Sequence, residues 1–288
     1  MIDVENVRFT YPNAREETLH GLTFGVGEGE IFGFLGPSGA GKSTSQKLLI
    51  GLLKQYEGSA RVFGTEVGVW DNELYERIGV SFEFPNHFLK LTARENLEYF
   101  GSLYRAEGHA PEAVLEWVAL AEAADQRVGE FSKGMKARLS VARAILHKPT
   151  LLFLDEPTSG LDPVNARRIK ELILHLRDEG TTTFLTTHNM VVADELCDRV
   201  GFIVEGTIAV VENPGTLKKR YGSDTVSVEY RGTRDEVNRE VFPLQGLGDN
   251  AEFLSVLRGA RRIERIHSSE TTLEQVFIEV TGRGLGTA

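Results

Sequence analysis

Cysteine is all but missing from this chain: a single thiol, Cys197, stands in 288 residues. That excludes an internal disulfide framework and fits a reducing compartment. The thiol itself reads as a small apolar core residue rather than a catalytic one. Long apolar runs are missing too. No stretch reaches the roughly 18 consecutive apolar residues of a spanning helix, so nothing here crosses a membrane by itself. The opening Met1-Ile2-Asp3-Val4-Glu5 has neither the basic nor the apolar region of a signal peptide, and the expectation is a cytoplasmic protein. A basic surplus is absent. The formal net charge of −10 argues against broad nucleic-acid binding. What remains is 41% hydrophobic, ordinary for a soluble globule, in a length that suits one large domain or two smaller ones.

The most informative stretch is Gly36-Pro37-Ser38-Gly39-Ala40-Gly41-Lys42-Ser43-Thr44, a G-x-x-x-x-G-K-S phosphate-binding loop. The apolar segment Ile31 to Leu35 before it suits a buried strand, and Leu48, Leu49, Leu52 and Leu53 after it suit a helix. The glycines let backbone N–H groups approach phosphate oxygens, and the helix start adds its own unpaired N–H groups. Lys42 is expected to reach the β- and γ-phosphates of a nucleotide, and the Ser43 hydroxyl to ligate Mg²⁺. The plain alternative is a Gly-rich turn with a surface lysine.

Residues 2 to 9 alternate as a strand does. Tyr11, before Pro12, is either a strand-end residue or a flat ring that stacks on a base. Leu22-Thr23-Phe24 and Ile31 to Leu35 read as strands joined by a hairpin-like turn at Gly25 to Gly29. Ala60 to Gly64 and Ile78 to Phe82 read as further strands, the second ending at Glu83. Residues 92 to 107 and 111 to 123 read as helices with apolar stripes. Ser132, in Phe131-Ser132-Lys133-Gly134-Met135-Lys136, either caps the next helix or helps form an anion site at its start. Leu151 to Leu154 is a buried strand that delivers Asp155 and Glu156. Two acids there are costly without a task; beside a P-loop, the first suits the Mg²⁺ shell and the second a water to be polarised. Residues 164 to 177 read as a helix and Thr181 to Thr187 as a β-branched strand. His188 at its end is either a plain polar residue or a γ-phosphate contact.

The ordered set, from P-loop through Glu83, Ser-Lys-Gly-Met, Leu-Leu-Phe-Leu-Asp-Glu and Ser-Gly-Leu-Asp to Thr-His, resembles the nucleotide-binding domain of ATP-binding cassette (ABC) proteins, over about residues 2 to 215. The resemblance implies an α/β fold: a RecA-like P-loop NTPase core with an antiparallel β subdomain, in a domain running over residues 1–218. A helical signature subdomain would occupy about residues 84–148, and a small C-terminal α+β domain residues 222–288. It implies that Tyr11 stacks on adenine, that Gly36 to Thr44 bind ATP, that Ser43, Glu83 and Asp155 serve Mg²⁺, and that Glu156 and His188 are catalytic. Ser132, Lys133, Gly134 and Met135 fall at the family signature and Asp162 in the D-loop. Two such domains pair head to tail, so Ser132 and Gly134 would serve the partner's ATP. The implied partners are a second nucleotide-binding subunit, a copy of this chain in the simplest case, and an integral membrane permease that would hold the protein at the inner face of the cell membrane. No nucleic-acid partner is expected.

Two positions depart from the family pattern. Glu83 stands where Gln is usual and adds negative charge beside the γ-phosphate and Asp155. Lys133 stands in a signature that commonly reads Leu-Ser-Gly-Gly-Gln; its charge either favours phosphate or faces solvent. Ser-Lys-Gly-Met variants occur among cassette exporter subunits.

The basic run Lys218-Lys219-Arg220 suits a solvated helix end. Thr225 to Tyr230 starts the C-terminal domain, whose last helix opens with the capping-box pattern Thr271-Thr272-Leu273-Glu274 and ends at Gly282. Its tail resembles that of bacterial drug-exporter ATPase subunits.

Three readings follow. The first is the ATPase subunit of a transporter, most simply an exporter. The second is a soluble mechanical ATPase acting on a ribosome or nucleic acid, disfavoured by the single cassette, the short helical insert and the acidic balance. The third, a small-molecule kinase, leaves Ser-Lys-Gly-Met and Ser-Gly-Leu-Asp unexplained.

Overall fold

The computed structural model describes residues 1–12, 14–222, 224–232 and 235–284. They form two compact units, Met1–Asn213 and Pro214–Arg283.

In the first unit, β1 (Ile2–Phe9) and β2 (Leu19–Val26) bury alternate residues, as a sheet with one solvated face requires. A register shift between Val4 and Val7 moves the buried set of β1 from even to odd positions, so Ile2, Val4, Val7 and Phe9 all reach the core. Next come β3 (Ile31–Leu35), α1 (Lys42–Leu49), β4 (Glu57–Val62) and β5 (Thr65–Glu66). The antiparallel sheet has the order β2-β1-β4-β5. The expected hairpin at Gly25 to Gly29 does not form: β3 enters a different sheet and leaves β2 paired with β1. The strand read at 60–64 stops at Val62, because Phe63 (φ 54°) and Gly64 (φ 75°) turn through the left-handed region.

The chain continues through α2 (Glu73–Arg77), β6 (Ile78–Ser81), α3 (Ala93–Gly101), α4 (Pro111–Trp117) and α5 (Lys133–Ile145). The two helices expected over 92–107 and 111–123 are shorter. α3 opens with a capping box of Thr92 and Glu95 and stops at Gly101-Ser102, both poor helix formers. Ala119, at φ 55°, stops the second from continuing past Val118.

Then follow β7 (Leu151–Asp155), α6 (Pro163–Asp178), β8 (Thr182–Thr187), α7 (Met190–Leu196), β9 (Arg199–Val204) and β10 (Thr207–Glu212). The larger sheet runs β10-β9-β3-β8-β7-β6, parallel except for β10. Its central strands β3, β7 and β8 are buried along their whole length, as a sheet covered on both faces demands. Phe24 of β2 ties the two sheets together, its ring 5.3 Å from Phe34 and 5.6 Å from Phe32 of β3.

The second unit contains α8 (Pro214–Tyr221), β11 (Thr225–Arg231), β12 (Val237–Pro243), α9 (Ala251–Gly259), β13 (Arg262–Ser269) and α10 (Leu273–Thr281). The strands form an antiparallel sheet β12-β11-β13 around a small core of Val226, Val228, Phe242 and Phe253. The capping box of α10 is one residue later than read: Thr272 pairs with Gln275, and Gly282 closes the helix at φ 67°. Among the described residues, no helix is long and apolar enough to cross a membrane.

Candidate functional site

Parallel pairing brings the site together. β3 lies beside β8 and β8 beside β7, so the carboxyl ends of three adjacent strands deliver the P-loop, His188 and the Asp155–Glu156 pair. This is where open α/β sheets bind ligands.

After β3 the chain turns at Gly36, where a Cβ would come within 2.1 Å of the Ile203 carbonyl oxygen, so only glycine fits. Gly41 precedes α1 at φ 106° and gives that helix no side-chain cap. The first N–H groups of α1 are therefore left for a ligand, and the dipole favours an anion there. Lys42 is buried and folds back onto the loop, donating to the carbonyls of Gly36 (2.6 Å) and Pro37 (2.9 Å). Burial pushes its ammonium below the usual lysine range, while Glu156, Asp155 and Glu83 act against that shift.

Asp155 is buried and held from two sides. Ser43 Oγ donates to one carboxylate oxygen (3.0 Å), and Thr186 Oγ1 donates to the other. Asp155 and Thr186 are register partners on β7 and β8. Glu156 follows at φ 50°, a left-handed conformation uncommon for a bulky residue. That turn lets its carboxylate accept from Thr187 Oγ1 (2.9 Å), from the His188 backbone N–H (2.9 Å) and from His188 Nδ1 (2.6 Å). A ring nitrogen this close to a carboxylate carries the proton, which leaves Nε2 pointing elsewhere. Thr186 and Thr187 escaped the sequence reading, which took them only as strand formers; their signal is position, as the last two residues of a strand that ends at His188.

A cavity of roughly 230 Å³ lies against the P-loop and is lined by Lys42, Ser43, Glu83, Asp155, Glu156 and His188 among others. The residues fit a nucleotide with Mg²⁺. The glycine at 39 has open space around it, the helix start lacks a cap, and Ser43 and Asp155 offer hard oxygen ligands side by side. Among the described residues no cluster of three or more His, Cys, Asp or Glu forms a ready metal site, so such an ion would also draw on phosphate oxygens and water.

Tyr11 is half-buried, its ring edge-on to Phe9 (4.8 Å) and its hydroxyl 3.1 Å from Thr44 Oγ1. It therefore stands beside the P-loop through Thr44 but packs against the core and is not among the residues that line the cavity. Ser132 caps α5, accepting from the Met135 N–H (3.2 Å). Asp162 caps α6 through the N–H groups of Val164 and Asn165. Ser132 and Asp162 are exposed, whereas Gly134 and Met135 are partly covered; none of these four lines the P-loop cavity. Burial pushes the Cys197 thiol up, and it sits behind Gly33 rather than in the site.

A sequence profile of the ABC transporter family matches residues 19–159, and one described as a fluoroquinolone efflux ABC transporter C-terminal domain matches residues 224–270. A fluoroquinolones export ATP-binding protein of Mycobacterium tuberculosis is 53% identical, covering 99% of this chain and 94% of the relative. The Nod factor export ATP-binding protein I of Rhizobium meliloti is 37% identical, covering 99% and 89%. Among solved structures, a dimeric ATP-binding cassette in a post-hydrolysis state with ADP and phosphate superposes with a TM-score of 0.67 at 29% identity, over 74% of this chain and 98% of that one.

Proposed function

We propose, from the premise that the chain belongs to the ABC transporter family as its ATP-binding and ATP-hydrolysing subunit, that it drives export of a drug-like compound through a separate membrane protein. The observation that carries the chemistry is the shared oxygen of Glu156, which takes both the backbone and the ring N–H of His188. A base fixed in this way is poised to orient a water, and His188 Nε2 is left to meet the γ-phosphate. Mg²⁺, held by Ser43 and Asp155 and joined by Glu83, would supply charge neutralisation at the β- and γ-phosphates. Lys42 would exchange its two carbonyl contacts for phosphate oxygens. Ser132 and Gly134 would act on the nucleotide of a second subunit.

A groove of about 430 Å³ suits the membrane partner. Leu52, Tyr75, Phe88, Phe100, Tyr104 and Arg143 are among its lining residues, and Phe84, Phe88 and Leu89 stand exposed along the segment after Glu83. Such apolar exposure on one face marks a docking surface. Export, rather than work on a ribosome or nucleic acid, is supported by the names of the relatives that match nearly the whole chain. The similarity to fluoroquinolone exporters supports a drug-like cargo.

The test is a pull-down from solubilised membranes using the Glu156→Gln chain held in ATP. A polytopic membrane protein should co-purify, and should be lost with Phe88→Asp. Recovery of ribosomes or nucleic acid alone would turn the reading to the mechanical ATPase.

A further inference from the structure

Tyr11 stands just past the end of β1 and is held by backbone, ring and hydroxyl alike. Its carbonyl accepts from the Ala14 N–H (2.9 Å). Its ring meets Phe9 edge-on, with centroids 4.8 Å apart, and Phe9 belongs to the buried core. Its hydroxyl lies 3.1 Å from Thr44 Oγ1, so two hydroxyls 33 positions apart in the chain are joined.

Thr44 is the half of this pair that meets the site. It is buried, it lies in the first turn of α1, and it lines the P-loop cavity. That turn has no side-chain cap, so its N–H groups are open to an anion. A threonine hydroxyl has one proton to give and two lone pairs with which to accept. The direction in which Thr44 gives its proton therefore depends on what Tyr11 does with its own.

We propose that Tyr11 is a positioning residue for polyphosphate binding: its hydroxyl donates to Thr44 Oγ1 and leaves the Thr44 proton for an anion in the P-loop cavity. A chain of two hydrogen bonds then runs from the core to the anion, each polarising the other. The same bond holds the Thr44 side chain in one rotamer. The role belongs to the Tyr11 hydroxyl and not to its ring, which packs against the core and is absent from the cavity lining. This rests on the reading of the P-loop cavity as an ATP site.

The test is a double-mutant cycle at Tyr11 and Thr44, read by equilibrium binding of ATP to the full chain. Tyr11→Phe keeps the ring and its packing on Phe9 and removes only the hydroxyl. It should weaken ATP binding about three- to tenfold, the scale of one net hydrogen bond. In the Thr44→Val background the same change should cost less than about twofold, since residues joined by one bond are not additive. Thr44→Ser keeps the hydroxyl and should keep the dependence on Tyr11. In turnover, Tyr11→Phe should raise KM with little change in kcat, as a loss of uniform binding does. Melting of the nucleotide-free proteins checks that each variant folds. Full ATP affinity in Tyr11→Phe would return the role to the ring and overturn the proposal. An equal loss with and without the Thr44 hydroxyl would overturn it as well. A wild-type chain that binds no ATP would instead overturn the site reading, and this proposal with it.

Discussion

His188 and Glu156 meet at a single oxygen: the backbone N–H of the histidine at 2.9 Å and its ring Nδ1 at 2.6 Å both reach Glu156 Oε1. With Thr187 on the other oxygen, the carboxylate cannot rotate without breaking three hydrogen bonds. Its charge stays fixed in direction before any nucleotide arrives.

Replacing that charge without changing shape isolates its role. Glu156→Gln should bind ATP with near wild-type affinity while hydrolysis falls by about 10² to 10⁴, the usual contribution of a positioned base. Single-turnover phosphate release is the measurement, and near-normal turnover would remove Glu156 from the chemistry.

Lys42→Ala removes the cation that closes the P-loop over the carbonyls of Gly36 and Pro37. ATP affinity should drop by about tenfold or more, the scale of a lost charge-assisted hydrogen bond. Calorimetric titration decides it: unchanged affinity would contradict the P-loop assignment.

Thr186→Val keeps the shape of β8 but takes a donor from buried Asp155. Leaving a buried acceptor short should cost about 1–3 kcal/mol of stability and lower hydrolysis more than ATP binding. A chain that melts and turns over like wild type would show that Ser43 alone suffices to hold Asp155.

His87 offers a pH signature away from the site. It is buried, its Nε2 2.9 Å from the Lys136 carbonyl oxygen and 3.1 Å from Ser140 Oγ. Burial pushes its pKa down to about 4. The unfolded chain takes up a proton near the ordinary value of about 6.5, the folded one only near 4, so this stability is complete above the unfolded pKa and is lost as pH falls through the window between them. The loss is no more than about 3 kcal/mol. Melting temperatures from pH 7 to 4 should show a shallower fall in His87→Gln than in wild type; identical slopes would rule the contribution out.

The P-loop, Asp155–Glu156 and His188 were legible in the sequence because each follows a strand whose apolar run is hard to mistake, and parallel pairing then places the ends together. The threonine clamp was not legible. Nothing in Thr181 to Thr187 distinguishes a hydroxyl that serves a carboxylate from one that merely favours a strand; only the β7–β8 register does. The hairpin read at Gly25 to Gly29 failed for a related reason. Turn residues report that the chain reverses, not which strand it pairs with afterwards. The helices after Glu83 were recognised by their stripes but drawn too long, since a stripe can continue through residues such as Leu103 that stand exposed.

Every residue assigned here to nucleotide chemistry lies before the boundary at Asn213 and Pro214. The nucleotide chemistry therefore draws on one compact unit and its own sheets and loops. The C-terminal unit packs around a small core of its own, Val226, Val228, Phe242 and Phe253, and contains none of these residues.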